Sequence, residues 1–328
     1  MENIQCEVKP LCDLCGSVGV VVQSGIADPD GHLDGSWSFQ RCNNEACGVY
    51  WLDPAPLPEE MWKAYATYHT HSKKSEGKFG KLMLSLAQRF IKLRFLPVWI
   101  SNGLKREGDN IRLMMLADEP KGKLLDVGCG GGRFLQRMKK RGWVVEGIDF
   151  DEQATKKVTS KYGIKTYVGD LITCALPANT YDAITLSQAI EHLYNPKETL
   201  AECLRILKPG GLLVMTTPNV NSLAAKIYGA SWRGWEAPRH LHLFSVETLR
   251  RLTQQSGFAE VDASTYSAGA AIVYKVSDAI QHGRPPNWLA AVNALYLSYQ
   301  QELHEYQAQK KQVHTGQNVL VQARKSSR

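Results

Sequence analysis

Downstream of Gly122, short apolar runs alternate along the chain with segments in which apolar residues recur every three or four positions. The runs predict β-strands, and the periodic segments predict amphipathic helices. Such an alternation is typical of α/β proteins, in which right-handed helical crossovers join parallel strands. The first predicted strand starts at residue 123 and runs into the acid at 126; the others are 143–149, 166–170, 181–188, 210–218, 261–266 and 318–323. Helices are predicted after the first strand, at 198–207 and at 245–256.

The first of these strands leads into an acidic residue and a cluster of glycines. The pattern acid-x-Gly-x-Gly-x-Gly is formed by four residues, Asp126, Gly128, Gly130 and Gly132. Glycine is needed where the backbone takes unusual angles close to a ligand, and the start of the next helix presents free N–H groups to that ligand. A dinucleotide fingerprint would require a glycine where Arg133 stands, because a bulky side chain prevents the close packing at that position. The pattern instead resembles the first motif of the class I S-adenosylmethionine-dependent methyltransferases; the alternative is an ordinary glycine-rich turn.

Acidic residues also end the next two predicted strands. Asp149 lies about 20 residues beyond the glycines, the spacing at which a carboxylate reaches the hydroxyls of a ribose. Phe150 follows it and would either stack on adenine or belong to the core. The resemblance implies that Asp170 accepts a hydrogen bond from the adenine amino group, and we place Leu171 and Ser187 in the same cofactor site.

The entry to the fifth strand, Leu-Lys-Pro-Gly-Gly at 207–211, resembles the same family. The resemblance implies an α/β fold with a Rossmann-like seven-stranded sheet, whose last two strands form a reversed hairpin at one edge. It also implies S-adenosylmethionine as the cofactor.

Two close pairs of cysteines lie near the N-terminus, Cys12 with Cys15 and Cys42 with Cys47. Four thiolates can surround a metal ion tetrahedrally, which is the closed coordination of structural Zn²⁺. We therefore predict a small zinc ribbon, whose few apolar residues make metal binding a large part of its folding free energy. The x4 spacing of the second pair is wider than the common x2, and Cys6 could compete for a ligand position. Cysteines without a metal are the alternative.

Between Lys73 and Arg106 the chain has nine basic residues and one acid, Glu76. Apolar residues at three- and four-residue intervals define one face of a helix there: Phe79, Leu82, Met83, Leu86, Phe90 and Leu93. We expect this face to dock on the cofactor domain, as packing helices do. The alternative is contact with an anionic membrane surface through residues 79–100. A further helix is predicted at 109–117.

Two segments are expected to line an acceptor pocket, because ligands bind beyond the carboxyl ends of the strands in such sheets. One follows the fourth strand and contains Glu191 and His192; the other is the loop 219–244, with His240 and His242. Histidine titrates near neutral pH and can take the proton of a hydroxyl acceptor. We predict His192, His240 and Glu191 as catalytic residues and His242 as a structural one.

The pair Glu191-His192 also resembles the metal-binding pair of the ubiquinone-type and small-RNA 2′-O-methyltransferases, in which two acids and histidines hold a divalent cation. Gln188 stands where the first acid of that pattern would be. A neutral amide is a poor ligand for a hard cation, so we expect no catalytic divalent metal.

The loop 219–244 also contains two tryptophans and two arginines, Trp232, Arg233, Trp235 and Arg239. Flat aromatic faces pack on sugar rings and guanidinium groups bind phosphate, so these side chains fit a carbohydrate or phosphate-bearing acceptor. They fit a well-packed loop equally well, and the sequence does not separate the two interpretations.

The 328 residues, with a net charge of +7, are divided by these patterns into a zinc ribbon (1–57), a basic helical connector (58–118) and a cofactor domain (119–328) with a helical insertion at about 274–312. The chain starts without an apolar leader and has no apolar run of roughly 20 residues. We therefore expect a cytoplasmic protein, in which cysteines stay reduced and can bind metal; peripheral attachment to a membrane is the alternative.

A two-pair cysteine module, a proline-rich exit at 54–58 and a short helix at 59–68 with Trp62, Tyr65 and Tyr68 precede the cofactor domain. This arrangement resembles bacterial methyltransferases of cell-surface polysaccharide or glycolipid pathways. We predict O-methylation of a small-molecule or lipid-linked sugar acceptor. An RNA methyltransferase is one alternative, but the aromatic residues are not interleaved with the lysines as a nucleic-acid stacking groove requires. A non-catalytic binding protein is the other, and the sequence does not indicate the oligomeric state.

Overall fold

The computed structural model describes residues 2–66, 78–283, 285, 287–312 and 314–327, and the side chains of Glu2, Ala66 and 78–81 lie outside this description. Several residues named in the predictions therefore fall outside the described part: Tyr68, Lys73, Lys74 and Glu76, together with the side chain of Phe79.

The strands agree closely with the predicted ones in the second half of the chain. In chain order they are β1 (Glu2–Asn3), β2 (Cys6–Glu7), β3 (Gly19–Ile26), β4 (Leu33–Asp34), β5 (Trp37–Cys42), β6 (Tyr50–Asp53), β7 (Ala55–Pro56), β8 (Lys123–Val127), β9 (Val144–Asp149), β10 (Lys165–Val168), β11 (Tyr181–Ser187), β12 (Leu207–Pro218), β13 (His242–Leu243), β14 (Glu260–Tyr266) and β15 (Asn318–Arg324). The fifth predicted strand begins three residues earlier than expected, because Leu207 pairs with Tyr181 of β11.

The helices are α1 (Trp62–Ala66), α2 (Lys78–Asn102), α3 (Leu104–Ile111), α4 (Arg133–Lys139), α5 (Glu152–Tyr162), α6 (Pro196–Ile206), α7 (Leu223–Tyr228), α8 (Val246–Gln255), α9 (Ala270–His282) and α10 (Trp288–Lys311). The helix predicted at 109–117 is displaced. It ends at Ile111, because Met114 and Met115 take left-handed backbone angles with φ of 46° and 57°. No helix in the described ranges combines the length and the apolar character that crossing a bilayer requires.

Seven of the described strands form one mixed sheet in the order β10-β9-β8-β11-β12-β15-β14. β8 pairs in parallel with both β9 and β11, β9 with β10, and β11 with β12. The last strand of the chain lies between the fifth and sixth strands, as the predicted edge hairpin requires. Leu124, Ile184 and Val214 of the central strands are fully buried, which is why these strands are continuous apolar runs in the sequence. The predicted α/β fold is confirmed.

The chain divides into two compact units, each assembled from three separate segments. The amino-terminal unit comprises Met1–Gly108, Asn219–Leu243 and Thr265–Asn318; the sheet unit comprises Asp109–Pro218, Phe244–Ser264 and Val319–Arg328. The domain limits proposed from the sequence, at 57/58 and 118/119, follow chain order rather than compactness and stay a prediction.

The amino-terminal unit contains a four-stranded antiparallel sheet in the order β13-β6-β5-β3. Trp37, Phe39 and Trp51 are buried within this unit. β13 comes from the loop 219–244, because His242 pairs with Trp51 and Leu243 with Tyr50. The loop that the sequence assigned to an acceptor pocket therefore contributes a strand to the sheet of the cysteine module.

Helices α2, α9 and α10 pack together in the same unit. Ile91 and Phe95 of α2 share a buried cluster with Ala271, Leu295 and Tyr299. This is not the face that the sequence assigned to docking. The side chains of Leu82, Leu86, Phe90 and Leu93 are between 50% and 70% exposed, so the expectation that this face is buried is wrong. The periodicity located the helix correctly but not its packed face.

Candidate functional site

The turn after β8 combines three glycines whose backbone angles are left-handed. Gly128, Gly130 and Gly132 have φ of 76°, 49° and 68°, a region that residues with a side chain rarely enter. The N–H groups of Gly128 and Cys129 both donate to the carbonyl oxygen of Ile148 at 2.9 Å. The turn is thereby attached to the end of the neighbouring strand β9, and helix α4 begins directly after it.

The three glycines meet different surroundings. A Cβ atom at Gly132 would lie 2.7 Å from Val158 of α5, and one at Gly128 would lie 3.0 Å from the Ala189 side chain. A Cβ atom at Gly130 or Gly131 would meet nothing within 4 Å. Gly132 is therefore required by packing, whereas Gly130 leaves a space above the backbone that a ligand can occupy.

Asp149 ends β9 beside this turn. Its Oδ2 atom accepts a hydrogen bond from the Gly130 N–H at 2.7 Å, and its Oδ1 atom accepts one from the Asp151 N–H at 3.0 Å. The next side chain, Phe150, is 54% exposed. The interpretation of Phe150 as a core aromatic residue is therefore wrong.

The other predicted cofactor residues follow β10 and β11. Asp170 is exposed, and its Oδ1 atom accepts from Thr173 N at 2.7 Å and from Thr173 Oγ1 at 3.0 Å. Ser187 is exposed at the end of β11, whereas the side chain of Leu171 is buried. Because β8 to β11 are parallel, their carboxyl ends lie along one edge of the sheet. The structure thus brings these residues to the same edge.

Asp126 differs from the other acids because it is buried inside the sheet unit. Its Oδ1 atom accepts a hydrogen bond from Thr185 Oγ1 at 2.7 Å. Burial raises the pKa of the Asp126 carboxyl to about 7, against the lowering effect of the Thr185 hydroxyl, and the charge of Asp149 raises it further. The acid of the glycine motif therefore binds the neighbouring strand β11 rather than facing solvent.

Glu191 and His192 belong to a 3-10 turn, Ile190–His192, that follows β11. Glu191 is fully buried, and its Oε2 atom accepts from Thr217 Oγ1 at 2.9 Å. His192 is half-buried, and its N–H donates to the carbonyl oxygen of Ala189. The contact between Ala189 and the Cβ position of Gly128 places this turn against the glycine turn.

Gln188 precedes this turn with a left-handed φ of 52°. Its side-chain amide lies 3.3 Å from Thr216 Oγ1, to which it donates. The amide that replaces the first acid of the metal-binding pattern is thus held by the end of β12.

His240 and His242 belong to the amino-terminal unit, not to the sheet unit that contains Glu191 and His192. His240 is buried, with its Nδ1 atom 2.8 Å from the carbonyl oxygen of Gly234. His242 is buried in β13, with Nε2 3.8 Å from a carboxylate oxygen of Asp13. His240 thus has a hydrogen-bond partner in its own loop, and His242 has a carboxylate of its own unit beside it.

Arg239 occupies a buried ion network of the amino-terminal unit. The side chain is 2% exposed, and its Nη2 atom donates to Asp28 Oδ1 at 2.9 Å and to Asp30 Oδ2 at 3.0 Å. Nη1 donates to the carbonyl oxygen of Ala64, and Nε donates to Glu236. Burial opposes ionisation of Asp28, but the Arg239 charge and backbone N–H donors hold the pKa of its carboxyl below the ordinary value. The guanidinium group is thus committed to protein partners.

The neighbouring aromatic residues are packed as well. Trp232 is buried, and its ring meets that of Trp235 edge-on with centroids 5.5 Å apart. Trp235 also contacts Phe39 at 5.1 Å, and its Nε1 atom donates to the carbonyl oxygen of Gly229. Arg233 pairs with Glu236 at 3.0 Å. Of the two interpretations of this loop, the structure supports the well-packed loop.

The four N-terminal cysteines converge. Their Sγ atoms all lie within 4.8 Å of one another, with 3.7 Å between Cys12 and Cys47 and 3.4 Å between Cys15 and Cys42. Zn–S bonds of about 2.3 Å put the sulfurs of a tetrahedral site about 3.8 Å apart, so the donor set fits zinc. Cys6 lies in β2 and is not part of this group.

Tight turns carry both cysteine pairs. The N–H of Gly16 donates to Cys12 O at 2.8 Å, and the N–H of Gly48 donates to Asn44 O at 2.9 Å. Cys47 N also bonds Asn44 O, and Ala46 N bonds the Asn44 side chain. The turn at Asn44 therefore absorbs the two additional residues of the x4 spacing.

Comparison with known proteins agrees with this geometry. Residues 101–263 match a family model described as a methyltransferase domain. A ubiquinone biosynthesis O-methyltransferase of Thiobacillus denitrificans is 30% identical over 159 residues, which cover 44% of this chain and 68% of that protein. One from Saccharophagus degradans is 37% identical over 109 residues, or 31% of this chain and 46% of that protein. The chain thus spans about half of the latter relative's length.

Among solved structures, an S-adenosylmethionine-dependent methyltransferase from Archaeoglobus fulgidus aligns with a TM-score of 0.46 and 20% identity, covering 68% of this chain and 94% of that one.

Because the carboxyl of Asp126 is buried, we expect its replacement by an amide to change the free energy of unfolding in a pH-dependent way. The unfolded chain ionises this group near its ordinary pKa of 3.8, whereas the folded protein does so near 7. Between these values the folded state binds more protons, so stability falls as the pH rises. Asp126→Asn keeps the acceptor for Thr185 but removes the charge, and should stabilise the protein at about pH 8 by roughly 2–4 kcal/mol.

The gain should shrink towards about pH 5, where the wild-type carboxyl is largely protonated. Urea unfolding at both pH values measures it, and Asp170→Asn, at an exposed aspartate, controls for the chemical change. A variant less stable than the wild type at both pH values would contradict the prediction.

Proposed function

Because the chain belongs to the class I S-adenosylmethionine-dependent methyltransferases, we propose that it binds S-adenosylmethionine at the turn after β8 and transfers the methyl group to a hydroxyl of its acceptor. The observation that carries the proposal is the space above Gly130, beside the carboxylate that already holds the Gly130 N–H. A ligand at this position would contact backbone N–H groups and an acid together.

Asp149 is suited to hold a ribose without leaving the turn. Each of its oxygens accepts one backbone N–H, but an ionised carboxylate offers about four acceptor positions. In the proposed site this carboxylate would accept the two ribose hydroxyls. Phe150 would contribute an exposed ring to adenine, and Asp170 an exposed carboxylate to the adenine amino group.

Bound S-adenosylmethionine would supply an electrophilic methyl group on a sulfonium, and the protein must hold the acceptor and take its proton. We propose that His192 accepts the proton of the acceptor hydroxyl. His192 lies three residues after Ala189, whose side chain is next to the Cβ position of Gly128, and its own side chain is half-buried. Glu191, buried and bonded to Thr217, would act as a positioning residue for this turn.

We propose first which kind of group is methylated and then which class of molecule carries it. O-methylation is favoured because the relatives at 30% and 37% identity are named O-methyltransferases. A sugar or glycolipid precursor as the acceptor is supported only by the resemblance of the whole domain arrangement. Trp232 and Arg239 do not support it, because both side chains are buried among protein partners. An intermediate of ubiquinone biosynthesis is the second candidate, from the relatives' names.

The four-cysteine cluster is proposed to bind one structural Zn²⁺. The converging sulfurs support this assignment, and four thiolates close the coordination sphere, so the metal would stabilise the fold and take no part in the chemistry.

Gly130→Ala should block the cofactor without unfolding the chain. The added methyl group enters the space proposed for the ligand, and should weaken S-adenosylhomocysteine binding by about tenfold or more. Calorimetric titration measures the affinity, and the wild type should not bind NAD. Gly142→Ala is the matched control, because Gly142 also has a left-handed φ and open space at its Cβ position.

Equal affinities of the Gly130 variant and the wild type for S-adenosylhomocysteine would refute the assignment of the cofactor site. Binding of neither S-adenosylhomocysteine nor NAD by the wild type would favour a non-catalytic protein.

His192→Gln should slow methyl transfer while leaving the affinity for S-adenosylhomocysteine unchanged. Loss of a general base costs about 10²- to 10⁴-fold in rate, and the pH dependence of the rate should lose its limb near neutrality. The rate of S-adenosylhomocysteine formation is followed with sugar, glycolipid and quinone-precursor acceptors. His282→Gln, at an exposed histidine, is the control. Full activity of the His192 variant would transfer the assignment to His240.

Purified protein should contain one zinc ion per chain by elemental analysis. Cys15→Ser and Cys42→Ser should each lose the metal and lower the unfolding temperature, because a missing thiolate opens the site. Cys6→Ser should retain it, since Cys6 lies outside the cluster. Metal-free protein of native stability would remove the zinc assignment.

A further inference from the structure

Helix α2 has two apolar faces, and among its described side chains, from Leu82 onwards, only one face is packed. Ile91 and Phe95 lie in the buried cluster with α9 and α10, and Trp99 stacks beside Phe95 with ring centroids 5.8 Å apart. The other face, which we call the exposed stripe, consists of Leu82, Leu86, Phe90, Leu93 and Ile100, each between 50% and 70% exposed. The second face is therefore not needed to hold the helix in its own unit.

The spacing of the exposed stripe makes it continuous. Its residues follow one another at intervals of three, four or seven positions, which keep them on one side of an α-helix. At about 1.5 Å per residue, the distance from Leu82 to Ile100 is about 27 Å along the axis. A single exposed apolar residue needs no explanation, but a stripe of this length marks an interaction surface.

The charges of α2 have one sign. Its sequence contains Lys78, Lys81, Arg89, Lys92 and Arg94 and no aspartate or glutamate. Arg89, Lys92 and Arg94 are exposed, and none of the carboxylates in the described part of the chain lies within ion-pair distance of them. At about 100° per residue, Arg89 and Lys92 project on one side of the exposed stripe and Arg94 on the other.

We propose that the exposed stripe binds the surface of an anionic phospholipid bilayer, with the axis of α2 in the plane of the membrane. Apolar side chains flanked by Lys and Arg are the pattern of an interfacial helix, whose apolar face enters the boundary between headgroups and acyl chains while the cations contact lipid phosphates. The stripe lies along one face of a single helix, and a bilayer surface can contact such a face along its length. The proposed membrane contact does not depend on the proposed methyl transfer.

A second copy of the chain fits the stripe less well. Joining two identical stripes would bring together two helices that each carry five basic residues and no acid, and like charges at an interface oppose association. The same charges attract the negative surface of a bilayer at a distance of about one Debye length, roughly 8–10 Å at ordinary ionic strength. Charge complementarity therefore selects the lipid surface.

Co-sedimentation of the whole 328-residue chain with vesicles tests the proposal. Vesicles of phosphatidylcholine mixed with phosphatidylglycerol should bind the protein, and vesicles of phosphatidylcholine alone should bind it much more weakly. Added salt should weaken the binding, because part of the attraction is between surface charges.

Two variants separate the apolar from the electrostatic contribution. Phe90→Ser with Leu93→Ser should weaken vesicle binding by about tenfold or more, because both side chains would otherwise enter the lipid. Arg89→Gln, Lys92→Gln and Arg94→Gln together should weaken it by about fivefold per charge and remove much of the salt dependence. All replaced side chains are exposed, so thermal unfolding and S-adenosylhomocysteine affinity should stay at wild-type values.

Matched variants elsewhere control for both changes. The apolar control combines Val144→Ser with Ile227→Ser, which removes exposed apolar side chains of β9 and α7. The charge control combines Lys156→Gln, Lys157→Gln and Lys161→Gln, which removes three exposed charges of α5. Both should bind vesicles like the wild type.

Four outcomes would overturn the proposal. The first is a wild-type protein that ignores anionic vesicles, and the second is equal binding by the α2 variants and their controls. The third is a lipid-free dimer that becomes monomeric in the Phe90/Leu93 variant, which would show a second copy on the stripe. Binding of polyglutamate but not of vesicles, with the same dependence on Phe90, would instead assign the surface to an acidic protein partner.

Discussion

The hydrogen bond between the Gly130 N–H and the Asp149 carboxylate joins the ends of two neighbouring parallel strands, and the proposed cofactor site depends on it. The bond is possible because Gly130 takes a left-handed φ at the end of β8 while Asp149 ends β9 beside it. It orients the carboxylate and the turn together, so that the space above Gly130 and the Asp149 carboxylate belong to one position. A site prepared in this way needs little rearrangement when a ligand binds.

The residues of the glycine motif have different structural roles. Gly132 makes room for Val158, Asp126 is buried against Thr185, and Gly130 alone of these faces open space. The acid and the last glycine of the motif are therefore packed inside the strand, turn and helix on which the ligand-facing residues stand. A buried carboxyl costs stability when it ionises, and the hydrogen bond from Thr185 to Asp126 ties β11 to β8.

A different constraint organises the amino-terminal unit. Arg239 is enclosed by Asp28, Asp30 and Glu236, and removing one partner of such a group would leave an uncompensated buried charge. This network fixes the loop 219–244 on the cysteine module, where β13 completes the sheet. The loop is consequently a structural part of its unit, and the aromatic and basic residues within it have protein partners.

Short-range pattern was sufficient for much of this protein. Apolar runs predicted the strands because a parallel sheet buries both of its faces, glycine spacing predicted the turn because only glycine takes its angles easily, and paired cysteines predicted the cluster because four sulfurs must converge. Tertiary structure decided what periodicity cannot express, which is the partner of each side chain. Arg239 and Asp28 are 211 residues apart in the sequence, and Asp28 lies in a segment, Asp-Pro-Asp-Gly, that indicates only a turn. Helix α2 has apolar residues on two faces, and the choice between Ile91 with Phe95 and Leu82 with Phe90 depends on where α9 and α10 lie. That information is distributed over the whole fold, because burial is a property of the assembled chain rather than of any one segment.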